Sequence, residues 1–380
     1  MTVQFDNPLM IPFGGDGGIN TEGDILVTVD GISVDSLWAE VASVLALWNS
    51  ERSAIAQCLS FPTINAAEAV PQSLSDDSFE LASEFGVPES IRAPSNAILL
   101  ASTLEDWDAA SRFSWRFLRD ATAEQVRATT NYILAADNKL TNGLVLRRLF
   151  DPTPDENEFG HTAFGLWTGD DNMVPPPHLG KTFDADHTHY LVSEAEQIDS
   201  KDLEDAIKAV QEHGYGVDPG SQLVGFMNPA EAEEIASFRA GIENNNEVVA
   251  KHDYIPSSGA PPYFTPSEVV GKIAPAQFNG LKINGSYGSL WISESQYVPS
   301  GYLAVVATGG ANSPLNPISV RQHTNPAYQG LRAIPGPMPG FPIREAYFAR
   351  TIGVGTRHRG AAVVMQIKAS GDYEVPDIPL

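Results

Sequence analysis

The chain has 380 residues, 42% of them hydrophobic, enough for two or three ordinary domains or for one core with large excursions. Its 48 Asp and Glu against 23 Lys and Arg give a formal net charge of -25 at pH 7, which disfavours nonspecific binding to nucleic acid or to an anionic membrane. Cys58 is the single cysteine, so an intrachain disulfide and a zinc site built on several cysteines are excluded.

Residues 1 to 31 are poor in helix formers and include Gly14-Gly15-Asp16-Gly17-Gly18, which reads as an arm with no core of its own. The start lacks a basic segment followed by an apolar one, and no run of about 18 apolar residues follows anywhere, so synthesis and folding in a cytoplasm, without a membrane, are expected. From Ser33 or Asp35 as cap, Leu37, Trp38, Val41, Leu45 and Trp48 mark the apolar face of a helix that continues less regularly through Ile55 and Leu59 to Pro62. Between residues 63 and 105, Pro62, Pro71, Pro88 and Pro94 punctuate short apolar runs, with a polar, acidic stretch from Ser73 to Glu80. This predicts an extended two-stranded excursion around Glu84-Phe85-Gly86 and Ile98-Leu99-Leu100, which needs an outside surface to lie on because a lone hairpin is marginal in water. Trp107, Phe113, Trp115 and Phe117 alternate with polar residues as a half-buried strand does.

The stretch from Asp120 to Asp151 predicts one long helix. Thr122 and Gln125 form a capping box, and Val126, Thr130, Ile133, Ala136, Leu140 and Leu144 recur at spacings of three and four. Gly143 is the weak point, and Asp151-Pro152 stops the run. At about 1.5 Å per residue the rod is roughly 40 Å long, the width of a domain. A loop-rich passage follows. A helix from Asp199 or Ser200 then carries Leu203, Ala206, Ile207 and Val210 inward and ends at His213-Gly214, where glycine can take the left-handed cap. Leu223 to Met227 reads as a strand, and Asn228-Pro229 opens a helix with Ala232, Ile235 and Phe238 inward, closed by Gly241. Helix, strand and helix make the middle of the chain a small α/β unit. Strands are predicted at Gly280 to Ile292, Gly301 to Ala307, Tyr347 to Val354 and Gly360 to Ile367, with irregular connections where Pro and Gly crowd between 309 and 342.

Asp184, Asp186, His187 and His189 are the best metal-like cluster, since alternate residues of a strand share a face. Nothing supplies a third and fourth ligand at a recognisable spacing, although His161 and His178 are open to proposal. The expectation is that Asp184, His187 and His189 are structural and that no stoichiometric metal is bound. Gly353-Val354-Gly355-Thr356-Arg357-His358-Arg359-Gly360 looks like a phosphate loop but lacks the Lys-Ser/Thr pair, and an apolar strand follows where a helix is required. Gly285-Ser286-Tyr287-Gly288 falls short of a nucleophile elbow. No catalytic residue, cofactor-binding residue or cofactor is assigned.

A set of fragments stands in order along the chain: Glu84-Phe85-Gly86-Val87-Pro88; Arg116-Phe117-Leu118 with Asp120-Ala121-Thr122; Ala136-Asp137-Asn138; Gly169-Asp170-Asp171; His187-Thr188-His189-Tyr190; His213-Gly214-Tyr215-Gly216; Asn284-Gly285-Ser286-Tyr287-Gly288; Tyr328-Gln329-Gly330-Leu331-Arg332; Gly353-Val354-Gly355; and Val363-Val364-Met365-Gln366-Ile367. In that order they resemble the HK97-fold major capsid proteins of tailed bacteriophages, in the version common among phages of actinobacteria. The resemblance implies an α+β, HK97-like capsid fold with an N-terminal arm (1–35), an N-terminal helix (36–62), an E-loop (63–105), a peripheral domain (106–175) with spine helix 122–150, an axial domain (176–315), and a return to the peripheral domain (316–380).

It further implies a structural protein, not an enzyme, that self-assembles through hexamers and pentamers into an icosahedral shell around double-stranded DNA, bound without sequence specificity. The chain would be located in the virion and assembled in the host cytoplasm. Because no lysine precedes Lys139, a lysine-asparagine crosslink from the E-loop is not carried over. The short arm implies a separate scaffolding protein, beside a portal, and shell strength then comes from noncovalent contacts or a cement protein. An encapsulin-type compartment and a metal-dependent hydrolase on His187 and His189 are the alternatives. Residues 1 to 120 hold 18 acidic side chains against five arginines and no lysine, while residues 316 to 380 hold seven basic against four acidic. That imbalance predicts pairing between subunits, with Arg344, Arg350, Arg357 and Arg359 facing the acids between Asp76 and Glu89.

Overall fold

The structure, a computed structural model, describes residues 26–51, 53–71, 81–82, 86–87, 97–171, 173–218, 220–259, 273–335 and 343–380. The glycine-rich start, the acidic stretch from Ser73 to Glu80, Glu84 and Phe85 lie outside them. The elements in chain order are α1 (Val34–Ser50), α2 (Ala54–Leu59), β1 (Ser60–Thr63), β2 (Ala67–Pro71), β3 (Ala97–Ala101), β4 (Glu105–Ser114), α3 (Trp115–Asp120), α4 (Ala123–Phe150), β5 (Asp155–Glu156), β6 (Thr162–Ala163), β7 (Tyr190–Val192) and α5 (Ser200–Gln211). After these come β8 (Gln222–Met227), α6 (Pro229–Ile235), β9 (Tyr254–Pro256), β10 (Gln277–Phe278), β11 (Leu281–Lys282), β12 (Gly285–Tyr287), β13 (Leu290–Glu294), β14 (Tyr302–Thr308), β15 (Ile318–Gln322), β16 (Leu331–Pro335), β17 (Ile343–Thr356) and β18 (Ala362–Gln366). Two compact units result. The smaller takes the described residues within Met1–Trp48, Asp108–Leu134 and Ala333–Ala349, and the larger takes those within Asn49–Trp107, Ala135–Arg332 and Arg350–Leu380.

In the smaller unit, Val34, Leu37, Phe113, Leu118, Ala123 and Val126 form the core, with Trp38 packed against it. The Ser33 hydroxyl accepts from the Asp35 amide, so Ser33 is the cap of α1. Half of the capping box read at Thr122 is present, the Thr122 amide donating to Gln125 Oε1 at 2.9 Å. The first helical amide, Ala123 N, is instead satisfied by the Asp30 carboxylate at 3.1 Å. A hydrogen bond from the Thr28 hydroxyl, then one from the Ala123 amide, outweighs desolvation and lowers the Asp30 pKa. Trp115 and Phe117, expected to continue a strand, lie on the short helix α3. The Ser114 side chain accepts from the Phe117 amide, and this cap turns the chain helical where alternation alone predicted extension.

The predicted spine is present as α4, within one residue of the span 122–150. Its buried face runs through Val126, Thr130, Leu134, Asp137, Thr141, Leu144 and Leu149, so Asp137 takes the inward place assigned to Ala136. Gly143 has a packing reason. A Cβ there would stand 2.7 Å from the Pro379 carbonyl oxygen and 2.9 Å from the Leu380 side chain.

The larger unit is built on a seven-stranded sheet of order β7-β18-β14-β8-β13-β12-β9. Leu223, Val305, Val363 and Leu290 line one face against α5, while Val224, Phe226, Ala304, Val306 and Val364 pack on the other. Alternate residues of each strand thus feed two cores, as the continuous apolar runs require. The first helix ends at Ser50, and a second, α2, starts at Ala54 with Ser53 as its cap and ends at Leu59, so one helix does not run on to Pro62. β15 and β16 fall inside the stretch read as irregular. Ile318 and Val320 are fully buried, and β1 pairs with β15 in parallel, so tertiary burial outweighs the nearby Pro and Gly. The predicted two-stranded excursion exists as β2 against β3, with Val70 opposite Ile98. The strand opposite Ile98-Leu99-Leu100 is therefore residues 67–71, while Glu84 and Phe85, expected to supply it, lie outside the described residues.

Helix α5 opens with a reciprocal capping box: Asp199 accepts from the Lys201 and Asp202 amides, and Asp202 accepts from Asp199 N at 2.9 Å. Burial, offset in part by that hydrogen bond, raises Asp202 to about 7. An acid raised in the folded state contributes stability that is fully present below its unfolded value near 3.8 and is lost as pH rises past about 7. Asp202→Asn, which keeps the accepting oxygen, should remove this slope. Its unfolding free energy relative to wild type should improve by on the order of 2–4 kcal/mol between pH 4 and pH 8. Parallel denaturation curves across that range would show the assignment to be wrong.

Candidate functional site

The sequence-level cluster forms only in part, and the structure completes it from elsewhere. His187 and His189 sit just before β7 with their Nε2 atoms 3.1 Å apart. The third partner is His213, at the C-terminal end of α5, its Nε2 2.9 Å from that of His187. Among the described residues these three are the one group of His, Cys, Asp and Glu whose ligand atoms converge, all within 4.8 Å of one another. Asp184 contributes its main chain, its carbonyl oxygen accepting from the His187 amide at 3.2 Å. His161 is held in the β5–β6 hairpin through its amide and Asn157. The His178 ring fills the space over Gly214, whose φ of +85° is the left-handed cap expected there.

The site is walled by burial. His189 and His213 are buried, while His187 is half-buried. Phe183 stacks on His213 with centroids 4.0 Å apart and planes 9° from parallel. His189 Nδ1 lies 2.6 Å from the Ala362 carbonyl oxygen, to which it must donate. Burial pushes His189 down to about 3, despite the Ala362 bond. Burial together with the neighbouring His189 and His187 rings takes His213 to about 2. His187 is lowered by burial, against the opposing fields of Glu212, Asp186 and Asp184. All three rings are therefore neutral near pH 7. His213 carried no spacing signal, being 24 residues beyond His189 in sequence. Only its place at the end of a predicted core helix pointed inward.

The other motifs resolve into packing. Gly353 and Gly355 lie in β17 and let the segment after β3 approach: the Thr103 amide donates to the Val354 carbonyl at 3.1 Å. Gly285 accommodates the Tyr254 ring, and Gly288, at φ +56°, turns β12 into β13. The arginines expected to reach a neighbouring chain are engaged within the subunit. Arg350 forms a bidentate pair with Asp137, Arg357 reaches Glu68 at 2.9 Å, and Arg359 reaches Asp171 at 2.5 Å. That expectation is corrected for these three: Arg350 and Arg359 are largely out of water, where a guanidinium needs its counter-charge beside it, and half-buried Arg357 meets the equally half-buried Glu68. The side chain of Arg344 and the acids Asp76, Asp77, Glu80, Glu84 and Glu89 lie outside the described residues.

No protein-family model and no curated protein matches the chain. Among solved structures, one of Mycobacterium phage Patience is similar at 37% sequence identity, covering 95% of this chain and 97% of that one, with a TM-score of 0.71. Capsids of an empty GTA particle (13% identity, 83% and 91% covered, TM-score 0.46) and of bacteriophage PhiM1 in its mature form (9%, 84% and 89%, 0.46) match more distantly.

Proposed function

From a chain that belongs to the HK97-fold major capsid proteins of tailed bacteriophages, we propose that hexamers and pentamers form and close into an icosahedral shell around packaged double-stranded DNA. The observation that carries this reading is the 37% identity extending over 95% of the chain. The protein is a structural component of the virion and forms a homo-oligomeric shell. Its division into arm, N-terminal helix, E-loop, peripheral domain, axial domain and C-terminal return is proposed at the boundaries read from the sequence. Support comes from the paired strands β2 and β3 inside the E-loop span, from the 28-residue helix α4, and from the seven-stranded sheet, which takes six strands from the axial span and β18 (Ala362–Gln366) from the C-terminal return.

A strongly acidic wall suits a container. The net charge of -25 per chain offers phosphates little to hold, so DNA can be driven in and released without sticking. A separate scaffolding protein, a portal and a cement protein complete the proposed assembly, in the host cytoplasm, with no catalytic step assigned to this chain. Expression with the scaffolding protein, followed by negative-stain microscopy, is the test. Closed shells with hexameric and pentameric facets are expected, and virions should carry nuclease-protected DNA inside them. A small soluble oligomer would sink the proposal, and particles filled with a cargo enzyme would replace it with a protein compartment.

A further inference from the structure

The three imidazoles present a proton-counting problem. His189 donates Nδ1–H to Ala362, so as a neutral ring it turns a bare lone pair at Nε2 toward His187. A hydrogen bond there requires the proton on His187 Nε2. His187 Nε2 also faces His213 Nε2 at 2.9 Å, and one proton cannot lie along both directions. If His213 donates instead, His187 Nε2 is a lone pair and its 3.1 Å contact with His189 sets lone pair against lone pair. Either tautomer leaves one close nitrogen pair without a proton between its members, in a pocket where burial opposes a charged ring.

A cation at the point of convergence removes the conflict, because all three lone pairs then have an acceptor. We propose that His187, His189 and His213 bind one zinc ion per chain through their Nε2 atoms, in place of the metal-free role read from the sequence. A tetrahedral zinc with bonds of about 2.0–2.1 Å sets its nitrogen ligands about 3.3 Å apart, close to the 3.1 and 2.9 Å separations seen here, and the widest separation in the cluster, within 4.8 Å, would shorten as the ion binds. Neutral imidazole donors select zinc over calcium or magnesium, which prefer oxygen. The Ala362 carbonyl orients His189 as an outer partner orients a metal-bound histidine, and Phe183 holds His213 flat. Half-buried His187 is the entry side, where Asp184, Asp186 and Glu212 make the field negative, opposed by Lys181. The fourth position falls to a water or to one of these carboxylates. The ion would tie the segment before β7 to the end of α5, a structural role with no reaction.

The proposal is tested on purified particles or soluble subunits by elemental analysis, so a failure to assemble does not obscure the readout. Close to one zinc per chain is expected, removable by a chelator with a fall in melting temperature that added zinc reverses. His187→Ala, at the half-buried position, should fold and lose at least about a hundredfold in zinc affinity. His161→Ala, in the β5–β6 hairpin, should bind as wild type does. Cobalt substitution should give the intense visible bands of a tetrahedral site in wild type and lose them in His187→Ala. Protein that takes up no zinc from an equimolar solution, or a His187→Ala variant that keeps its metal, overturns the assignment.

Discussion

Replacing Arg359 with alanine should remove about 3–5 kcal/mol of folding stability, the cost of breaking a buried ion pair from one side. Arg359 is fully buried in the larger unit, and its guanidinium is satisfied in several directions. Nε donates to the Gly165 carbonyl at 3.0 Å, and Nη2 donates to the Leu166 carbonyl at 3.0 Å and to Asp171 at 2.5 Å. The same group lies over two aromatic faces, 4.1 Å from the Trp167 ring centroid and 5.0 Å from that of Phe164. Burial lowers its pKa and the Asp171 contact opposes the fall, as for a charge taken out of water and compensated locally. Truncation would strand the Asp171 carboxylate and two carbonyl oxygens. Lysine should restore little, since a point charge cannot fork to three acceptors and stack between two rings. Arg359→Met combined with Asp171→Asn should recover part of the loss, because the stranded charge is then gone. Denaturation midpoints of the soluble subunit decide the matter. An Arg359→Ala variant within about 1 kcal/mol of wild type would mean that the loop at 164–171 is held by something else.

What a sequence shows about this chain follows from which interactions are local. Helix caps at Ser33, Asp199 and Asn228 and the left-handed glycine at Gly214 involve neighbours a few residues apart, and each was legible. The long helix was legible because its apolar residues recur at the helical period over 28 positions. Asp137 was not, since an acidic residue on the inward face makes sense only once Arg350, 213 residues later, is seen to meet it. His213 was missed for the same reason. Arg357 and Arg359 were read as partners for a neighbouring subunit because composition counts charges without saying which already have a counter-charge in their own subunit. The alternation through Trp115 and Phe117 misled because one serine side chain, accepting from Phe117, was enough to change the local conformation.

Gly353→Ala should be close to incompatible with the native subunit, costing about 3 kcal/mol or more, at or above the usual range for overpacking. A Cβ at Gly353 would overlap the Thr103 carbonyl oxygen outright and come within 2.8 Å of Leu104 Cα. At Gly355 the obstacles are the Ala101 carbonyl oxygen and Ser102. These atoms are mostly main chain, so no rotamer change relieves the overlap, and the two segments must part. Parting them breaks the Thr103 amide bond to Val354 at 3.1 Å, the paired bonds of the Thr103 hydroxyl with Val354 O and N, and the 2.7 Å contact between the Ser102 and Ser319 hydroxyls. Those bonds fasten the chain where it leaves β3, at the base of the proposed E-loop, so particle yield should fall further than subunit solubility. Gly220→Ala is the matched control. It has open space around the added methyl and should stay within about 0.5 kcal/mol of wild type. If Gly353→Ala subunits unfold at the wild-type denaturant concentration and assemble normally, the close approach is not required. The motif that resembled a phosphate loop would then lack the steric explanation given to it.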